Sequence, residues 1–422
     1  MYRVSRLENG LTVASASMPH MNSVSVGLWV GVGGRYEPAR LSGAAHFIEH
    51  MLFKGTRKRT AGQISEAVEG LGGYLNAFTS EEMTCFYSKA RHDKFGELLE
   101  VLADMFLNSA FDPGEFNKER GVIKEELAMY LDQPQQHVHE LLNETMWPDQ
   151  PLGRSLTGTP QTLDGMSRDD LVAYKNANYV SESSLLAVAG NIDHETVLKA
   201  IARYAKKIPA KKRPQYTPAT SNQTKPEVRL CTKKTEQTQI AIGIRACSRH
   251  DPRRYALRIL NTVLGENMSS RLFQIIREEH GLAYNICSHA TCFDDTGCIT
   301  ISAGLETDRL QKALKLINRE ISTLATKPVP AAELRRARDY VIGQLDLSLE
   351  NTENQMMWLG EYLLGCGKVE TPAEHKSRIA KVTAAQVRDV AREFFQADRV
   401  SLALVSPLKK SAGLDRLLIP AR

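Results

Sequence analysis

Residues 208–228 read IPAKKRPQYTPATSNQTKPEV, and this stretch decides how the rest of the chain divides. It places Pro209, Pro214, Pro218 and Pro226 around Lys211, Lys212 and Arg213, within a polar run. Proline removes backbone donors, and a polar run offers no apolar face to bury. The segment therefore suits a linker rather than a packed element. It sits at the midpoint of 422 residues, since 422/2 = 211. Two equal halves invite a search for an internal repeat.

Working outward, the same order of elements is found on both sides. Before the linker, residues 74–90 are strand-like, 98–106 (LLEVLADMF) carry helical apolar spacing, and Asp112-Pro113-Gly114 opens a long charged helix to Leu131. After it, residues 284–305 are strand-like, 310–324 have helical spacing, and Pro330 opens another charged helix. Glu115 pairs with Glu333 and Leu127 with Leu345 at one offset, 218; Glu49-His50-Met51 pairs with Glu266-Asn267-Met268 at 217. Residues 11–17 and 23–32 alternate in strand fashion after the Asn9-Gly10 turn, and 228–231 with 239–245 play that part in the second half. Residues 185–189 and 400–405 read as buried strands that close each half. Strands, then helices, then strands predict an α+β chain of two homologous domains, each a mainly antiparallel sheet with helices packed on it. The expected bounds are 1–210, a linker at 211–227, and 228–422.

Composition narrows the function classes. The charge is 54 − 49 = +5, with no basic stripe interleaved with aromatics, so no nucleic-acid partner is expected. No run of ~18 apolar residues provides a membrane span, and the opening MYRVSRL lacks the apolar core of a signal peptide. Seven scattered cysteines without a CxxC read as reduced thiols of a cytosol-like compartment. Cys287, Cys292 and Cys298 fall in strand-like sequence and read as core rather than metal ligands.

The chemistry lies in His46-Phe47-Ile48-Glu49-His50, the reverse of the HExxH zinc motif. Residues 42–56 have helical spacing and no proline. At about 100° per residue, His46, Glu49 and His50 fall within one wedge. Two imidazoles a turn apart can bind one zinc ion, and the carboxylate between them then faces the same cavity. A third protein ligand is needed, and the charged helix offers Glu119, Glu125 and Glu126. Glu119 and Glu126 share a face. Lys118, Arg120 and Lys124 speak equally for a solvated face, and spacing alone does not choose.

HFIEHMLFKGT (46–56), GGYLNAFTSEEMTCFY (72–87) and ERGVIKEELAMYLDQP (119–134) resemble the pitrilysin/insulinase family of zinc peptidases. The resemblance is nearest to the short two-domain branch that includes the mitochondrial processing peptidase β subunit and its bacterial relatives. It covers the chain in order and is most specific in the N-terminal block. It implies one Zn2+ per chain held by His46, His50 and Glu126, with Glu49 as general base. Glu119 would stand beside the site, orienting a histidine or assisting the base. Asn76 and Ala77 match the family's edge strand, which binds peptide backbone by strand addition. Arg277 and Tyr284 match an Arg…Tyr pair that positions substrate and stabilises the oxyanion. In the second half Val263, Asn267 and Gln344 stand where His46, His50 and Glu126 stand in the first, so that copy cannot hold zinc the same way.

The function implied is a zinc-dependent endopeptidase that cleaves peptides or presequence-like segments inside a clamshell chamber. A catalytically silent core subunit or a peptide-binding partner of the same family is the alternative. Long-chain members join four such domains where this chain has two. A homodimer is therefore expected, with a heterodimer containing an inactive sister chain as the other arrangement. The expected compartment is the bacterial cytoplasm, with the mitochondrial matrix as alternative.

Overall fold

The first half begins with strands because its sequence alternates. In a computed structural model, which describes residues 2–418, these are β1 (Tyr2–Arg6), β2 (Thr12–Ser17) and β3 (Ser23–Val30). They are followed by β4 (Tyr74–Thr79), β5 (Thr84–Arg91) and β6 (Ser184–Gly190). The sheet order is β1-β2-β6-β3-β5-β4. Only β2 and β6 run parallel; the other neighbours are antiparallel. β3 and β6 lie in the interior of the sheet and are almost wholly buried.

The second half repeats this plan with β7 (Glu227–Thr232), β8 (Thr238–Ala246), β9 (Ala283–Cys292), β10 (Gly297–Leu305) and β11 (Val400–Ser406). Its order, β7-β11-β8-β10-β9, matches β2-β6-β3-β5-β4 strand for strand, including the single parallel pair β7–β11. The repeat expected from spacing is therefore present as topology, with β1 an addition at one edge.

Each compact unit is discontinuous in sequence. One comprises residues 1–128, 154–217 and 346–371; the other comprises 129–153, 218–345 and 372–422. The segments that change sides carry the helices Pro134–Met146 and Thr352–Cys366, which are equivalent at the 218 offset (134 + 218 = 352). In the first unit, Met356 and Leu359 of the Thr352–Cys366 helix pack with Trp29, Leu185, Ala187 and Ala189. In the second, Leu142 and Met146 of the Pro134–Met146 helix pack with Ala241, Ala403 and Val405. The small residues on these sheet faces let a helix approach closely. Gly27 and Gly243 make equivalent allowances: a Cβ at either would run into the sulfur of Met356 or Met146, respectively.

The opposite face of each sheet buries the larger apolar side chains. In the first unit Val24, Val26, Leu28 and Val30 pack under Phe47, Ile48 and Met51 of the Ala44–Leu52 helix and under Leu98, Leu102 and Phe106 of the Phe95–Asn108 helix. The Ala44–Leu52 helix is shorter than its periodic sequence. Gly43 and Gly55 hold φ of +96° and +112°, left-handed values that glycine adopts without steric cost, and the helix falls between them. No helix among the described residues is long and apolar enough to cross a membrane.

Candidate metal and peptidase site

The Ala44–Leu52 helix buries Phe47, Ile48, Met51 and Leu52 and leaves His46, Glu49 and His50 half-buried on its other side. Its start is held by Glu37. The two carboxylate oxygens of Glu37 accept from the amides of Gly43 and Ala45, each at 2.7 Å. These amides would otherwise be orphans at the helix N-terminus. Burial pushes the Glu37 carboxyl up to about 8, against the pull of the two amides and Arg154.

The Pro113–Asp132 helix crosses nearby and supplies the carboxylates. Phe116, Glu119, Ile123 and Leu127 form its buried stripe, and Phe116 stacks on Phe47 at 4.9 Å between ring centroids. That packing sets the rotation of the helix. Glu126 faces the histidines: its Oε2 is 3.7 Å from His46 Nε2 and 3.6 Å from His50 Nε2. Glu125 is exposed. Glu119 is 1% exposed; its Oε2 lies 3.1 Å from His50 Nδ1 and its Oε1 lies 2.8 Å from Lys54 Nζ.

Among the described residues His46, His50 and Glu126 form the one group that could hold a metal ion, with ligand atoms all within 4.8 Å of one another. The set fits zinc. Tetrahedral bonds of about 2.0–2.1 Å place ligand atoms roughly 3.4 Å apart, close to the 3.6 and 3.7 Å separations found here. The His46 imidazole is pushed down to about 4, first by burial and then by the neighbouring His50, against Glu126. It is thus the neutral donor a metal requires. Burial raises Glu49, while a hydrogen bond from Thr79 and the proximity of His50 oppose the rise. Thr79 Oγ1 donates to Glu49 Oε2 at 2.5 Å.

Similarity to known proteins points the same way. Residues 12–160 match the family model described as Insulinase (Peptidase family M16), and residues 165–341 match Peptidase M16 inactive domain. The chain belongs to peptidase family M16. Among curated relatives, a Bacillus subtilis protein named "Uncharacterized zinc protease YmxG" is 36% identical over 95% of this chain and 97% of its own length. A Streptomyces coelicolor protein also named an uncharacterized zinc protease is 36% identical over 96% and 90%. A Helicobacter pylori protease structure shares the fold at a TM-score of 0.90 and 21% identity, covering 96% of this chain and 99% of that one. A chain of Candida albicans complex III2 does so at 0.87 and 18%, covering 99% and 98%.

In this M16 chain the remaining expected residues are distributed as follows. Asn76 and Ala77 lie on β4, which pairs only with β5 and so leaves one edge open among the described residues. Strand side chains alternate, so Ala77 shares a face with Thr79 while Asn76 points to the other face. There the Asn76 side chain accepts from the Ala77 amide at 2.8 Å. Arg277 and Tyr284 lie together in the second unit, the guanidinium 4.8 Å over the ring, with Tyr284 80% exposed. In the degenerate copy Glu266, the counterpart of Glu49, is engaged by Arg258 at 2.5 Å and Thr262 at 2.7 Å. Cys85, Cys231, Cys247, Cys287 and Cys292 are not in disulfides.

Sequence reasoning assigned no role to Glu37, Lys54 or Thr79. Lys54 and Thr79 both lie within stretches that carry the family resemblance. The available signals were period: Lys54 is one turn beyond His50, and Thr79 is two strand positions beyond Ala77.

Proposed function

We propose that this chain is a zinc-dependent endopeptidase. The observation that carries the reading is the convergence of His46, His50 and Glu126 beside Glu49, a carboxylate on the same helix. A bound Zn2+ would supply Lewis acidity toward a peptide carbonyl and toward water. His46 and His50 would hold it through Nε2 and Glu126 through a carboxylate oxygen. Glu49 would take the proton of the attacking water and pass it to the leaving amine. Its burial and its tie to Thr79 keep the carboxylate in place for both transfers. Glu119 would orient His50 through Nδ1. The open edge of β4 at Asn76 and Ala77 would pair with extended peptide backbone, a contact that reads strand geometry rather than side chains.

The second half does not duplicate the zinc site. Its match to the family's inactive domain agrees with Val263, Asn267 and Gln344 replacing the donors. The alternative, a silent core subunit, is disfavoured by the complete donor set in the first half. A homodimer is the assembly favoured by the exposed Arg277–Tyr284 pair, which would serve the partner's site and stabilise the oxyanion there. The relatives come from bacteria, which favours the bacterial cytoplasm over the mitochondrial matrix.

The decisive experiment is Glu49→Gln, assayed with an unstructured peptide library. Zinc content should stay at one per chain while cleavage is lost. A variant as active as the wild type would overturn the assignment. For the dimer, mixing Glu49→Gln with an Arg277→Ala chain should restore activity that neither shows alone; no restoration, or an active 47.0 kDa monomer in solution, would reject it.

A further inference from the structure

We infer that Thr79 is a positioning residue for Glu49, tying the orientation of the base to the strand on which peptide would dock. The inference rests on the peptidase reading above. Thr79 ends β4, opposite Thr84 in an antiparallel register, so its backbone is fixed by the ladder. From there its hydroxyl reaches Glu49 Oε2 at 2.5 Å, across 30 residues of sequence and from a different element. Thr84 is itself anchored, donating through Oγ1 to the Val32 carbonyl at 3.0 Å. A β-branched side chain is stiff at χ1, so the ladder and the rotamer together aim the hydroxyl.

The consequence is an asymmetric carboxylate. Oε2 accepts from Thr79, and that bond restricts rotation of the carboxyl group, leaving Oε1 to receive the proton of an attacking water. Among the described residues β4 has one unpaired edge, so a peptide added there would pair with the same strand that carries Thr79. The docked strand and the base would then be registered to each other by one hydroxyl.

The test uses Thr79→Val and Thr79→Ser in the full chain, with a quenched-fluorescent peptide chosen because the wild type cleaves it. Valine keeps the branched shape and removes the donor. Its kcat should fall about 10–100-fold with KM within about twofold, a smaller loss than removal of the general base, worth roughly 10²–10⁴-fold. Zinc content should not change. Serine should restore kcat to within about tenfold of wild type, since the donor returns without the stiff rotamer. Unchanged kcat in Thr79→Val, a rise in KM alone, or failure of serine to rescue would each overturn the inference. Thr79→Ala serves the same comparison if the valine variant does not fold. Glu49→Gln run in parallel separates the two readings: if it is fully active the peptidase assignment falls, whereas an inactive Glu49→Gln beside a fully active Thr79→Val removes only the role of Thr79.

Discussion

Glu119 Oε2 lies 3.1 Å from Nδ1 of His50. A carboxylate only accepts, so Nδ1 is the donor, and in the neutral imidazole this leaves the lone pair on Nε2, the nitrogen on the side of Glu126 and His46. Lys54 holds the other oxygen of Glu119 at 2.8 Å. On the peptidase reading, this relay would favour the tautomer that a metal requires. Glu119→Leu should weaken zinc binding about 10–100-fold, measured by competition with a chelator of known affinity. Lys54→Met should weaken it less, since it leaves the Glu119–His50 bond in place.

Removing zinc should lower thermal stability as well as activity. A ligand that binds only the folded state stabilises it by about 2.7 kcal/mol at a hundredfold excess over Kd. Differential scanning calorimetry of the chelated and zinc-loaded chain should show the rise in one transition. In Glu126→Gln, which keeps the size but loses the charge of a donor, the zinc-dependent shift should shrink or vanish.

Glu37 makes stability depend on pH in an uncommon direction. Its folded value, about 8, lies above the unfolded one near 4.5, so the folded chain binds the extra proton between those values. That stabilisation is present in full below about pH 4.5 and is lost as pH rises through about 8. Urea midpoints should therefore fall from pH 5.5 to 8.5 more steeply in the wild type than in Glu37→Gln. Glu37→Ala should cost about 1–3 kcal/mol at either pH by leaving the Gly43 and Ala45 amides unsatisfied.

Arg35 and Glu82 form an ion pair at 2.6 Å with side chains 0% and 7% exposed, and Tyr216 lies 3.9 Å from the guanidinium. Glu82→Gln should cost about 3 kcal/mol, because the buried Arg35 charge loses the opposite charge 2.6 Å away. The loss should change little between low and high salt, since a buried pair is poorly screened. Chemical denaturation at two ionic strengths measures both.

Gly360 sits on the Thr352–Cys366 helix against Trp29, where a Cβ would overlap the indole. Helix propensity favours Gly360→Ala by up to about 1 kcal/mol, while forcing a methyl into a packed core costs about 1–3 kcal/mol. Trp29 is 0% exposed and has nowhere to move, so the variant should be net destabilised. Gly62→Ala, on the Ala61–Glu69 helix with nothing near its Cβ, is the control and should raise the melting temperature.

Much of the fold was legible because strand and helix periods are local. The strands at 11–17, 23–32, 185–189 and 400–405 followed from alternation and apolar runs, and the HFIEH helix from its spacing. The central linker separated two copies whose common strand order later appeared as topology. What period could not supply was the partner of each amphipathic face. The helices Pro134–Met146 and Thr352–Cys366 have apolar stripes, but only the structure shows which sheet each covers, Met146 against Gly243 and Met356 against Gly27.

The site divides along the same line. Sequence by itself placed His46, Glu49 and His50 on one wedge, because a helix converts spacing into direction. Spacing left Glu119, Glu125 and Glu126 as alternatives, and family resemblance favoured Glu126. Only the packed structure shows Glu126 facing both histidines, Glu119 behind His50 and Glu125 exposed, because the rotation of the Pro113–Asp132 helix is set by Phe116 against Phe47. Thr79, Lys54 and Glu37 were settled by tertiary structure alone. Thr79 and Lys54 each meet another element through one hydrogen bond or ion pair, and Glu37 through two hydrogen bonds, and such bonds depend on two backbones being brought together rather than on any pattern within one.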